Sequence, residues 1–152
     1  MALRLYDTMT GSVEEFSPAQ LETVRMFTCG LTVNDYMHVG HARCYAFWDV
    51  LHRYLEYLGY HVEHVSNITD ISIDEKILKR LKETGQSFQE LIETYTRSYL
   101  DDRRLLGIRR AKIHPLATQH IQEMVELVQI LVEKGFAYET DDGVYFDISK
   151  FE

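Results

Sequence analysis

The chain has 152 residues, 45% of them hydrophobic and 26% charged, with a formal net charge of -8. These values suit one folded unit that buries its own core, and they exclude a disordered tail, a collagen-like repeat and low-complexity sequence. The acidic balance excludes binding a nucleic-acid backbone through a broad basic face, and no run approaches the roughly 20 apolar residues of a membrane span.

The N-terminal residues show no basic region followed by an apolar one, so a cytoplasmic protein without membrane contact is expected. Cys29 and Cys44 are too few for a disulfide framework and read as thiols.

In chain order, LRLYDTM and VEEF around Thr10-Gly11-Ser12 predict a short hairpin with Gly11 in its turn. Val24-Arg25-Met26-Phe27-Thr28-Cys29 alternates and predicts a strand that ends at Gly30. The period then changes to 3.6: Phe47, Val50, Leu51, Tyr54, Leu55 and Leu58 predict a helix over 41–58 with that stripe inward, stopped by Gly59. A second alternating strand follows over 60–65, so strand, helix and strand make a βαβ unit with parallel strands. In such a unit the loop after the first strand is where ligands bind.

Three more helical stretches come next. One covers 74–83 and ends near Gly85; the second opens on a capping box, Ser87 to Glu90, with Phe88, Leu91, Ile92, Tyr95 and Tyr99 on one side. The third covers 118–134, with Ile121, Met124, Val125, Val128, Leu131 and Val132 as its stripe and Gly135 as its stop. All these stripes read as core. A hairpin turning at Asp142-Gly143 ends the chain. The basic concentration Arg103, Arg104, Arg109, Arg110 and Lys112 reads as a solvated helix end, His52, His61, His64 and His114 as surface or half-buried side chains, and Cys44 as packing.

Chemistry concentrates between Cys29 and His41. His38 and His41 flank Gly40 at a helix entrance, where unpaired N–H groups and the helix dipole favour an anion, and Gly40 lets a flat ring or a phosphate approach the backbone. The two imidazoles can donate hydrogen bonds to phosphoryl oxygens.

The string CGLTVNDYMHVGHAR resembles the Cys-Gly-Pro-Thr-Val-Tyr-Asp and His-Ile-Gly-His-Ala-Arg segment of cysteine–tRNA ligases, class I aminoacyl-tRNA synthetases. DVLHRYLEYLGYHVEHVSNITDISIDEKI, HPLATQHIQEM and GVYFDISKF continue the match in order. The resemblance implies an α/β fold: the first half of a Rossmann-like parallel sheet over 1–117, then the start of an inserted α+β segment over 118–152. It implies a ligase that activates cysteine with ATP and Mg2+ to cysteinyl-adenylate and transfers it to tRNA(Cys). Gly30, His38, Gly40 and His41 match ATP-binding positions, with His38 and His41 catalytic. Cys29, Thr69 and Asp70 match amino-acid-binding positions. Cys29 also matches the first of four ligands of a zinc ion that binds the substrate thiolate, a device that separates cysteine from serine.

Leu31 replaces the usual Pro, Asn34 the usual Tyr, Val39 an Ile and Leu116 an Arg, and ISIDEKI departs from the usual acidic run, which bears on Asp74 and Lys76. The 152 residues hold no Lys-Met-Ser-Lys-Ser loop, no Cys, His and Glu set to complete the zinc site and no anticodon-reading region. One thiol does not hold zinc, so none is expected on this chain alone. A non-catalytic nucleotide-binding or partner module of the same fold, and an ATP-dependent ligase joining cysteine to an amino-sugar, remain the alternatives. The residues leave open whether Asn67 and Asp70 act on substrate or organise a turn, and give His120 a structural hydrogen bond.

Overall fold

The computed structural model describes residues 2–71 and 75–151. Asp74, where the sequence begins its second helix, lies outside them, and the side chains of Glu75 and Lys76 are likewise not described.

Strands β1 (Arg4–Asp7) and β2 (Ser12–Glu15) pair antiparallel, with Gly11 at φ +65° supplying the left-handed turn residue. Strand β3 (Thr23–Thr28) leads through a loop into helix α1 (Val39–Tyr57), and the chain returns as β4 (His61–Ser66). The two strands are parallel in register Thr23 to His61 through Thr28 to Ser66, which is the expected βαβ unit. Thr32 bridges Thr69 beyond the strand ends, so the loop after β3 is pinned to the sheet edge.

A third parallel segment escaped sequence reading. Ser66 N donates to Ile113 O, Ile68 N to Pro115 O and Ala117 N to Ile68 O, adding 111–117 beside β4. Pro115 lacks an N–H and breaks any alternating signal there, but its carbonyl still serves as acceptor. Helices α2 (Glu75–Thr84) and α3 (Phe88–Leu105) form the crossover, and Ser87 and Glu90 close the expected capping box on α3.

The core joins Leu31, Val33, Tyr45, Ile68, Ile77, Leu91, Ile92, Tyr95, Tyr99 and Ile108. On α3 the stripe is as expected except Phe88, which is exposed. On α1 the stripe is corrected: Phe47 and Val50 are 57% and 65% exposed, while Tyr45, His52 and Leu55 are buried. The face toward the sheet is chosen by polar partners that hydrophobic periodicity cannot see.

His52 and His64 are buried, against expectation. His64 Nε2 lies 2.9 Å from Thr28 Oγ1, its Nδ1 lies 3.4 Å from His52 Nδ1, and His52 Nε2 lies 3.3 Å from Glu56 Oε1. A carboxylate only accepts, so with neutral rings His52 carries its proton on Nε2, His64 on Nδ1, and the Thr28 hydroxyl donates to His64 Nε2. Burial first, then the neighbouring His52 and Arg103, hold His64 down at about 4.

Arg103 also differs from a solvated helix end. It is 4% exposed, donates to Tyr99 Oη and to the carbonyl of Arg109, and sits 5.4 Å from the Tyr45 and Tyr99 ring centres. Ring faces and a carbonyl take the place of a carboxylate around this cation. Arg109 pairs with Glu56 and Lys112 with Glu63, so two more of the basic group are structural ion pairs.

Residues 117–120 form a 3-10 turn before α4 (Ile121–Glu133), so the last expected helix starts later than 118. β5 (Ala137–Thr140) and β6 (Gly143–Phe146) make the terminal hairpin, turning at Asp141-Asp142, one residue before the expected place. Ile121, Met124, Val125 and Val128 remain 39–44% exposed, so the α4 stripe is not the core element its period suggests. Among the described residues no helix is long and apolar enough to cross a membrane.

Candidate functional site

The βαβ crossover delivers two histidines to the first turn of α1. His38 is the N-cap: its Nδ1 accepts from the N–H groups of Gly40 at 3.1 Å and His41 at 3.3 Å. His41 Nδ1 accepts in return from His38 N at 3.3 Å, a capping box made of two imidazoles. The rings stack at 3.7 Å with a 14° interplanar angle. Both Nδ1 atoms are acceptors, so each neutral ring keeps its proton on Nε2 and has an N–H left to offer a ligand. Burial, then the adjacent His38, lowers the pKa of His41. The helix-end N–H groups of Gly40 and His41, which sequence reading assigned to an anion, are occupied by His38.

Both rings line a cavity of about 420 Å³ walled by the loop residues Leu31, Thr32, Asn34, Asp35 and Tyr36 and by Lys79, Arg80 and Glu83 of α2. The loop is anchored below by the sheet. Val33 N donates to Thr69 O at 3.1 Å and Thr69 N to Leu31 O at 3.0 Å. Gly30 N donates to Asn67 Oδ1 at 2.7 Å, and a Cβ on Gly30 would fall 1.4 Å from the Asn67 carbonyl oxygen. Only glycine permits this approach of β3 to the end of β4.

The other expected site residues are dispersed around this cavity. Cys29 is exposed at the end of β3, and neither it nor Thr69 lines the cavity. Gly40 packs under the His38 ring and borders a shallower depression with Arg43, Cys44 and Phe47. Cys44 is exposed and accepts a hydrogen bond from Trp48 Nε1 at 3.2 Å, so it is not a packed core thiol. Asp70 is buried and both carboxylate oxygens accept from Thr118, from its N–H at 2.9 Å and from its hydroxyl. That carboxylate fastens the end of β4 to the turn before α4. Asn67 donates to Thr69 Oγ1 at 3.2 Å and so organises the turn between them. His120, the last residue of the 3-10 turn, is 3.5 Å from Glu123 in the first turn of α4.

Among the described residues no group of three or more His, Cys, Asp or Glu side chains converges as a metal site. Cys29 alone does not fit a zinc ion, which takes three or four protein donors. Sequence reading missed Asp35, Lys79 and Arg80. Cations on a helix carry no distinctive pattern, and only the packing of α2 brings Lys79 and Arg80 to the cavity that the histidines line, whereas Asp35 stands three residues before His38 in the segment read as carrying the chemistry and was given no role.

The family model described as tRNA synthetases class I (C) catalytic domain matches residues 15–152. The chain is 49% identical over 152 residues to a cysteine–tRNA ligase of Thermococcus onnurineus and equally to one of Thermococcus gammatolerans, in each case covering all of this chain and 32% of the relative. The chain thus spans about a third of the length of these relatives. The structure resembles a leucine enzyme of Agrobacterium radiobacter K84, solved as a ternary complex with tRNA and LeuAMS, with TM-score 0.63, 17% identity, and coverage of 80% of this chain and 16% of that one. At that identity the likeness concerns the fold, a Rossmann-like α/β architecture. From the stacked histidine entrance to the parallel βαβ unit beneath it, this chain belongs to the class I tRNA synthetase (C) catalytic domain family.

Proposed function

We propose that this chain is the N-terminal catalytic portion of a cysteine–tRNA ligase, holding ATP at the histidine-lined cavity while the cysteine carboxylate attacks the α-phosphorus and pyrophosphate leaves. The observation that carries this reading is the stacked pair itself: two imidazoles whose Nδ1 atoms are tied to backbone leave two Nε2–H donors for phosphoryl oxygens. Such donors act where charge develops as the α-phosphorus passes through its transition state, and their fixed geometry requires no reorganisation during reaction. ATP enters as its Mg2+ complex, the metal neutralising phosphate charge. Gly30 keeps the loop close to β4, and Asn67 and Thr69 hold its far side. Cysteine lies toward Cys29 and Thr69, at the sheet edge beside the cavity, and tRNA(Cys) receives the acyl group. The setting is the cytoplasm.

Calorimetric titration of ATP into the chain tests this reading. Binding is expected, and His38→Ala/His41→Ala is expected to weaken it by at least about tenfold without lowering the melting temperature by more than a few degrees. Equal affinity in the double variant removes the nucleotide from this loop. Cysteine-dependent, serine-independent exchange of pyrophosphate into ATP, by these residues joined to the remaining two thirds of a relative, tests the amino-acid assignment.

A further inference from the structure

Among the described residues, helix α2 contributes Lys79, Arg80 and Glu83 to the cavity wall, and they are held very differently. Arg80 is locked: its Nη2 donates to Asp35 Oδ1 at 2.7 Å, its Nε donates to Tyr95 Oη at 2.9 Å, and its guanidinium lies 5.7 Å from the Tyr95 ring centre. The Tyr36 ring meets the Tyr95 ring edge-on at 5.0 Å. One point therefore joins α2, α3 and the loop that runs from Asn34 into His38. Lys79, the residue before Arg80 on the same helix, lines the same cavity, and among the described residues it pairs with Glu83 at 3.8 Å, both side chains being more than half exposed. An exposed pair of that length contributes little and is readily exchanged for a stronger anion. Asp35 neutralises Arg80, so among the described residues the cation of this wall most open to an anion is Lys79.

We propose that α2 is the phosphate-facing wall of the nucleotide site, with Lys79 contacting the phosphate chain of the bound nucleotide and Arg80 acting as a positioning residue that fixes the Asp35–Tyr36 loop and hence the His38–His41 pair. This rests on the nucleotide reading above and adds to it the groups that recognise phosphate. The ammonium is a point charge on a flexible stem and can follow a phosphate chain, whereas the planar guanidinium fits the fixed fork it makes with Asp35 and Tyr95. The loop that carries the histidines is thus held from the sheet side by Thr69 and from the helix side by Arg80.

Titration with ATP and with adenosine, which lacks phosphate, separates the two roles. Lys79→Ala is expected to weaken ATP about fivefold and leave adenosine unchanged, and Lys79→Arg to restore ATP. Arg80→Ala, and Asp35→Asn, which frees the same loop without altering α2, are expected to weaken both ligands and to shift the His38 and His41 ring-proton resonances. Loss of ATP and adenosine affinity in equal measure on Lys79→Ala, or no loss of either, overturns the phosphate contact. Wild-type affinity and unshifted histidine resonances in both Arg80→Ala and Asp35→Asn overturn the positioning role. These failures differ from failure of the nucleotide reading, which shows as no ATP binding by the wild-type chain or as full affinity in His38→Ala/His41→Ala.

Discussion

Helices α3 and α4 carry equally regular apolar stripes and end up in opposite circumstances. Leu91, Ile92, Tyr95 and Tyr99 of α3 are buried against α1, the loop after β3 and the edge of the sheet. Ile121, Met124, Val125 and Val128 of α4 line an open groove together with Glu139 of β5 and Val144 of β6, and none is buried. A helical period states which face gains by leaving water; it says nothing about whether a partner stands opposite that face. The groove of about 640 Å³ along α4, lined by Ile121, Met124, Val125, Val128 and Val132 with Val144, is the result.

The contrast can be broken or sharpened by substitution. Leu91→Ala opens a cavity where the side chain has 0% exposure, and a loss of about 3 kcal/mol is expected in urea unfolding at neutral pH. A loss below about 1 kcal/mol would mean that the α3 packing is much looser than its burial indicates.

Acid should act first on the same packed half. His64 has a depressed pKa of about 4 against an ordinary 6.5, so the folded state resists a proton that the unfolded chain accepts. Its stabilising contribution is therefore complete above about pH 6.5 and is lost as pH falls toward about 4, by roughly 3 kcal/mol across the window. Burial sets the sign, and of the groups facing the ring His52 on α1, Arg103 on α3 and His114 on the third sheet segment reinforce it, while Asp49 on α1 favours the protonated ring. Unfolding free energies measured from pH 7 to 4.5 check this, and His64→Gln is expected to flatten the slope. An unchanged slope in that variant would assign the acid sensitivity to another group.

The smallest effect belongs to α4. Val128→Ala is expected to change stability by less than about 0.5 kcal/mol, because the side chain is already 39% exposed and leaves no enclosed cavity. A loss comparable with that of Leu91→Ala would show that this groove is covered in solution.

Several features were legible because they depend on neighbours along the chain. The β1–β2 hairpin, the parallel βαβ unit, the Ser87 capping box and the glycine stops after α1, α2 and α4 follow from alternation, from a period of 3.6, and from the few residues that satisfy orphan N–H groups or adopt positive φ. The histidine pair was legible too, since its residues are three positions apart and meet within one helical turn. Membership of the synthetase family was readable from contiguous strings.

What tertiary structure decided are matters of partnership. Which side of α1 faces inward depends on His64 and Arg103 being ready to receive His52 and Tyr45, and no period encodes that. Asp70 is adjacent to the site in sequence but is drawn to Thr118, 48 residues away, because a buried carboxylate requires donors. Lys79 and Arg80 reach the histidines only through the packing of α2, and α4 keeps its stripe in water for want of an opposing surface among the described residues. The sequence by itself determined the local elements and the donors at the helix entrance, since these are short-range preferences of backbone and side chain. Burial, pairing and the shape of the cavity came from contacts between distant segments, whose free energy exists only once the chain has folded.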